Sequence, residues 1–142
     1  IVAGRRIFAG LSSRTNVDAI RQLGALTSDF GYHTQSVAFR GCLHLKSAAT
    51  MLSANTILLN PRWVDPEVFE GMKVLEVEPD EPYAANALAV GDTILFPAAH
   101  PGTANRLRSA GFVVSGVEAS ELAKAEGALT CCSVLVRRPA PL

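Results

Sequence analysis

The side chains of this chain able to do covalent chemistry near neutral pH are three cysteines, Cys42, Cys131 and Cys132, and three histidines, His33, His44 and His100. A cysteine attacks as its thiolate, and a neighbouring imidazolium or helix N-terminus favours that form. An imidazole titrates near neutrality, so it can protonate a leaving amine and then take a proton from water. A Cys–His pair is therefore enough for attack on an electrophilic carbon. Cys131 and His44 are the candidates, although 87 positions separate them. Taken singly, each has a plainer reading. Cys131 in an apolar strand would be a small core residue, and His44 between Leu43 and Leu45 a core or edge histidine. His33 and His100 fall in no motif and read as surface residues. Trp63, after Pro61-Arg62, reads as packing over a helix.

For the two candidates to meet, the chain must be folded by elements that recur. Three segments share one plan of a short apolar strand, a helix, a glycine and a second strand. The first runs through Arg6–Leu11, a helix over 16–28, Gly31 and a strand over 32–39. Val17, Ile20, Leu23 and Leu26 are spaced by three and predict one apolar helix face, with Thr15 or Asn16 as cap. The second has Thr56–Leu59, a helical turn over 65–70 opened by Asp65-Pro66, Gly71 and a strand over 72–77. An acid followed by Pro is a helix start. The third has Thr93–Phe96, a helix over 103–110, Gly111 and a strand over 112–117. Glycines at the helix exits suit left-handed C-caps. A further strand is expected after each copy, at 42–46, 85–90 and 129–134, and Ile1-Val2 reads as a hairpin arm before the first. The unit is thus β-β-α-β, about three times over. Such units bury their faces by packing around each other as a propeller-like ring, with a single mixed sheet as the alternative. Alignment of the copies puts His44, Asn86 and Cys131 at matching places near the start of the strand that opens a unit, where a ring would turn all three toward its axis.

Composition bounds the rest. With 142 residues, 49% hydrophobic and 18% charged, residues 1–142 read as one α/β domain with a real core. Thirteen basic and thirteen acidic residues cancel, which leaves no electrostatic footprint for nucleic acid or for an anionic membrane. The longest apolar run is broken at Gly91-Asp92 and is too short for a bilayer. Three cysteines, two of them adjacent, do not make a disulfide framework, and without a CxxC pair no structural zinc site is expected. A reducing, cytoplasmic setting is the simpler reading. The chain opens on Ile1 already in strand-like sequence and reads as beginning in the middle of a fold.

Three blocks carry a family resemblance: Gly10-Leu11-Ser12-Ser13-Arg14-Thr15-Asn16, Leu43-His44-Leu45-Lys46-Ser47, and Gly127-Ala128-Leu129-Thr130-Cys131-Cys132-Ser133-Val134-Leu135. In order and spacing they resemble the dimethylarginine dimethylaminohydrolases, and the resemblance runs along essentially the whole chain. It implies the pentein fold, in which five β-β-α-β units surround one active site. About three of the five, the C-terminal portion, would be present here. The resemblance further implies Cys131 as nucleophile, His44 as acid/base and Arg14 as the guanidinium that grips the substrate α-carboxylate. Without it, Arg14 reads as a solvated loop arginine. Ala125 falls where a backbone carbonyl would contact the substrate. Cys132 would point away from Cys131 on a shared strand.

The implied reaction converts an Nω-methylated arginine to citrulline plus methylamine or dimethylamine through a covalent thiouronium on cysteine. It uses no metal and no organic cofactor, and its partner is a small guanidino substrate. Arginine deiminase or amidinotransferase activity is the sibling alternative, and a non-catalytic pentein fragment the alternative of another class. The carboxylates that hold a cationic substrate would lie upstream of the block matching Ile1. The acids at hand read otherwise, Asp92 as a hairpin turn residue and Asp80 and Glu81 as solvated loop residues. Completion of the ring then calls for an N-terminal segment or a second copy of the chain, the latter invited by exposed strand edges.

Overall fold

The computed structural model describes residues 1–136. The tail from Arg137 to Leu142, which the sequence reads as a frayed end, lies outside them.

The β-β-α-β unit occurs three times. Each copy is a three-stranded sheet whose middle strand pairs antiparallel with the strand before it and parallel with the strand after the crossover. The first unit holds β1 (Val2–Ala3), β2 (Arg6–Leu11), α1 (Val17–Ser28) and β3 (His33–Ala38). The second opens with a four-residue helix, α2 (Leu45–Ala48), and continues through β4 (Ala49–Met51), β5 (Thr56–Leu59), a 3-10 turn (Pro66–Phe69) and β6 (Lys73–Glu76). The third has β7 (Leu88–Val90), β8 (Thr93–Pro97), α3 (Pro101–Ser109) and β9 (Val113–Val117), and a short α4 (Ser120–Lys124) follows it. The sheets stay separate rather than merging into one, which excludes the single mixed sheet.

The units pack face to face because the middle one is apolar on both faces. Residues 56–59 are all buried, and alternate side chains of a strand leave on opposite sides. Ile57 and Leu59 join Phe8 and Val37 of the first unit and Phe69 of the second in one core cluster. Leu58 faces the other way, into a second cluster with Ile94, Phe96 and Leu107 of the third unit. Arg6 reinforces the first junction. Its guanidinium lies 4.7 Å from the Phe8 ring centroid and donates to the Glu70 carbonyl at 2.7 Å.

Three sequence expectations need correction. First, α1 starts where expected, with the Asn16 side chain accepting from the Ala19 N–H at 2.9 Å, but of its three-spaced residues only Ile20 is buried. Val17 and Leu26 are 67% and 73% exposed. Three residues fall 60° short of a full helical turn, so a strict three-residue spacing winds around the helix instead of staying on one face. Second, 42–46 is not a strand. The apparent alternation hides a helical pair, Leu45 and Ala48, that α2 buries together while Leu43 stays exposed. Third, 129–134 is a turn followed by residues without regular structure, and of the expected strand 85–90 only Leu88–Val90 forms.

Candidate active site

None of the three aligned residues sits on a strand: His44 and Asn86 lie in the segments before β4 and β7, and Cys131 lies in the segment after α4. His44 is the residue before α2, extended and exposed. Its carbonyl accepts from the Ser47 N–H at 2.8 Å, which closes the first turn of α2, and from the Cys42 thiol at 3.4 Å. Burial pushes the Cys42 thiol up, partly offset by that bond to the His44 backbone, so Cys42 serves here as a protonated donor.

Cys131 lies in a turn that follows α4 and is anchored by buried Leu129. Its sulfur is 2.9 Å from the Ala128 nitrogen and 3.1 Å from the Ala128 carbonyl oxygen. As a thiol it donates to the carbonyl, and as a thiolate it accepts from the N–H. The same backbone unit thus serves both protonation states. Because there is no strand, the expected opposition of Cys131 and Cys132 across a sheet does not hold. Cys132 instead donates its backbone N–H to the Ala128 carbonyl at 3.2 Å. Local desolvation, and then the hydrogen bond and negative charge of the Cys131 sulfur, push the Cys132 thiol up.

Asn86 joins the two segments. Its side-chain amide donates to the Lys46 carbonyl of α2 at 3.0 Å and to the Thr130 hydroxyl at 2.9 Å. Its oxygen accepts from the Thr130 N–H at 3.1 Å. One nitrogen serves both acceptors, so the Lys46 carbonyl oxygen and the Thr130 hydroxyl lie at most 5.9 Å apart. Residues two positions from His44 and next to Cys131 thus share a single amide. Behind it, the buried Thr50 hydroxyl of β4 donates to the Ala85 carbonyl at 2.6 Å and accepts from the Ala87 N–H at 3.1 Å, pinning the backbone on both sides of Asn86. The sequence singled out Asn86 by position but gave it no partner. Thr50, Lys46 and Thr130 carried no signal beyond their neighbours.

Arg14 lies in a tight turn after β2. Ser12 and Thr15 exchange backbone bonds at 3.1 and 3.3 Å, and the Ser12 hydroxyl accepts from the Arg14 N–H. Among the described residues no hydrogen bond or ion pair holds its exposed guanidinium, in contrast to Arg62 at the matching place after β5, which donates to the Pro79 carbonyl at 2.7 Å. Ala125 is the residue that ends α4, and its N–H is tied to the Leu122 carbonyl at 3.0 Å.

Other expectations shift. Glu81 is not a solvated loop residue, because its carboxylate caps α3 by accepting from the Gly102 and Thr103 N–H groups at 2.8 and 2.7 Å. Burial alone would raise its pKa, but the Thr103 and Gly102 bonds and the His100 charge outweigh that and hold it below the usual carboxylate range. His100 is not a surface residue. It is half-buried with its ring 6.5 Å from Phe96, and burial lowers its pKa against the pull of Glu81. His33 is exposed, and Asp92 lies in the turn between β7 and β8, both as read. Trp63 packs edge-on to Tyr83 at 5.0 Å, with Gly41 against its indole. Among the described residues, no three His, Cys, Asp or Glu are placed to hold a metal ion, and no helix is long and apolar enough to cross a membrane.

No family model matches the chain. Curated relatives do. A dimethylarginine dimethylaminohydrolase of Streptomyces coelicolor is 35% identical over 135 residues, covering 94% of this chain and 51% of its own. That of Pseudomonas aeruginosa is 30% identical over 134 residues, covering 94% and 53%. The solved Pseudomonas enzyme, a cysteine-to-serine variant complexed with citrulline, superposes with a TM-score of 0.84 over 92% of this chain and 51% of that one, at 29% identity. A histidine-to-glycine variant of a dimethylarginine dimethylaminohydrolase, an adduct with S-methyl-L-thiocitrulline, gives the same TM-score at 29% identity, covering 92% of this chain and 52% of that one. The chain is a homologue of the dimethylarginine dimethylaminohydrolases. It spans about half the length of the curated relatives it matches, and its repeated β-β-α-β fold is pentein-like.

Proposed function

We propose that this chain supplies the nucleophile and the acid/base of a hydrolase acting on Nω-methylated arginine. The observation that carries the reading is the shared amide of Asn86, which holds the Cys131 turn and the α2 segment after His44 within 5.9 Å of each other at its two acceptors. A second observation supports it. The cysteine replaced in the citrulline complex and the histidine replaced in the thiocitrulline adduct carry residue numbers 87 apart, the separation of His44 and Cys131.

In this reading the Cys131 thiolate, accepting from the Ala128 N–H, attacks the guanidinium carbon. His44 protonates the departing methylamine or dimethylamine as the C–N bond breaks, leaving a thiouronium on sulfur. Water, deprotonated by His44, adds to that carbon, and the C–S bond breaks to release citrulline and regenerate the thiolate. In the same reading the Arg14 guanidinium, free of protein partners among the described residues, binds the substrate carboxylate, and the Ala125 carbonyl makes a backbone contact to the substrate. The carboxylates that balance the cationic substrate come from a further segment or a second copy of the chain.

Citrulline release from asymmetric dimethylarginine, monomethylarginine and arginine tests the reading. Turnover of the methylated substrates that disappears in Cys131→Ser supports it. Preference for unmethylated arginine would instead favour a deiminase, and no turnover with a free-thiol labelling rate at Cys131 a non-catalytic homologue.

A further inference from the structure

The geometry points to Asn86 as a positioning residue that sets the nucleophile turn against the His44 segment, an inference that rests on the Cys131–His44 reading above. Among the described residues, the hydrogen bonds that tie residues 128–132 to the rest of the chain are those to the Asn86 side chain. The other bonds of the turn are internal, within Ala128, Cys131 and Cys132. Apart from the burial of Leu129, then, one amide fixes where Thr130, and with it Cys131, stands.

The residue type follows from the task. The Lys46 carbonyl needs a donor and the Thr130 N–H an acceptor, so the amide can face only one way round. Asp could not donate to the carbonyl, and Leu, of similar shape, could do neither. The residue is 6% exposed, so water does not substitute freely for a lost partner. Its backbone is equally fixed, since Thr50 holds Ala85 and Ala87 on either side. The path closes on itself, from His44 through α2 into β4 and Thr50, across to Asn86, and back to Lys46 on one side and Thr130 on the other. A shift of the amide moves nucleophile and acid/base relative to each other, and misplacement by about 1 Å costs roughly 100-fold in rate.

The test uses the full natural polypeptide and two thiol reagents, 2-chloroacetamidine as the guanidine-like probe and iodoacetamide as the neutral one. In the wild type, His44→Ala should slow chloroacetamidine labelling of Cys131. Asn86→Leu is expected to lower both that labelling and kcat by roughly 100-fold and leave KM within about threefold. Thr130→Val, which removes one acceptor and leaves the N–H, should lower both rates by about tenfold. A purely structural role would lower the melting temperature and spare the labelling rate and kcat. A cooperatively folded Asn86→Leu protein with wild-type rates overturns the assignment. If Asn86→Leu does not fold, Thr130→Val decides, and wild-type rates in it overturn the assignment equally. Should His44→Ala label as fast as the wild type, the Cys–His reading falls and the positioning role with it. If His44→Ala is slow while folded Asn86→Leu is not, the positioning role alone is refuted.

Discussion

Thr50→Val is the sharpest test of how the second and third units are joined. The Thr50 hydroxyl donates to the Ala85 carbonyl at 2.6 Å and accepts from the Ala87 N–H at 3.1 Å, and Thr50, Ala85 and Ala87 are all at most 4% exposed. Valine has the same shape but bonds to neither group. Two buried backbone groups are then unpaired, at about 1–3 kcal/mol each. The added buried methyl returns on the order of 1 kcal/mol. The net loss should be about 1–5 kcal/mol. Thr50→Ser is the control, because it keeps both bonds and gives up one buried methyl, about 1 kcal/mol plus a small cavity. Urea unfolding at constant m-value measures both losses. In thermal unfolding, at roughly 4 °C per kcal/mol for a chain of this size, Val should melt about 4–20 °C below the wild type and Ser about 4–6 °C below. Since the same bonds set the backbone around Asn86, citrulline release should fall more in Val than in Ser. If Val were within about 0.5 kcal/mol of the wild type, or more stable than Ser, the hydroxyl bridge would not be what fastens the units.

Cys131→Ser should abolish citrulline release and shift the melting temperature by under about 2 °C, because the residue is exposed and the volume change small; a fully active serine variant would reassign the nucleophile. Gly10→Ala should cost about 1–3 kcal/mol in urea unfolding and reduce turnover, since a Cβ there would stand 2.6 Å from the Phe39 ring and 2.8 Å from the Leu45 Cβ, beside His44. An unchanged Gly10→Ala would mean that β2 does not set the place of α2. Glu81→Gln should lower stability by about 1 kcal/mol near pH 7, the usual cost of weakening an N-terminal cap. The folded carboxyl is depressed, so its contribution is complete above the ordinary carboxylate pKa and vanishes as the pH falls through the lower folded value. The wild-type and Gln melting curves should therefore converge in acid, and a difference that persisted at pH 2 would show that the cap does not depend on charge.

Much of the fold was legible because the repeat is written in punctuation as well as in apolar residues. Gly31, Gly71 and Gly111 all take positive φ at the exits of the crossovers, and each is followed by a parallel strand at nearly the expected place. Asp65-Pro66 capped a helical turn as read, with Asp65 accepting from the Glu67 N–H at 3.0 Å. What failed were the short segments between units. Cys42 to Lys46 alternates apolar and polar residues, and only the tertiary burial of Leu45 with Ala48 turns it into a helix. Residues 129–134 are rich in strand-forming types but lack a pairing partner among the described residues. Glu81 and His100 were misread for the same reason. A helix start 20 residues away gave the acid its partners, and no local pattern announces that.

The places where local reading failed are also the places where the candidate chemistry sits, and repetition explains why. In a stack of like-built units, strands and crossover helices are committed to burying the faces of their neighbours, as β5 does on both sides. The connecting segments have no such duty. They converge, they carry backbone groups that need partners, and matching positions within them are free to differ in residue type. His44, Asn86 and Cys131 occupy such matching positions. Two of them keep exposed side chains, while the third is buried and spends its hydrogen bonds on the segments of the other two. A site divided among units in this way needs at least one member that binds the others together. Asn86, whose partners lie 40 and 44 residues away, is the member suited to it.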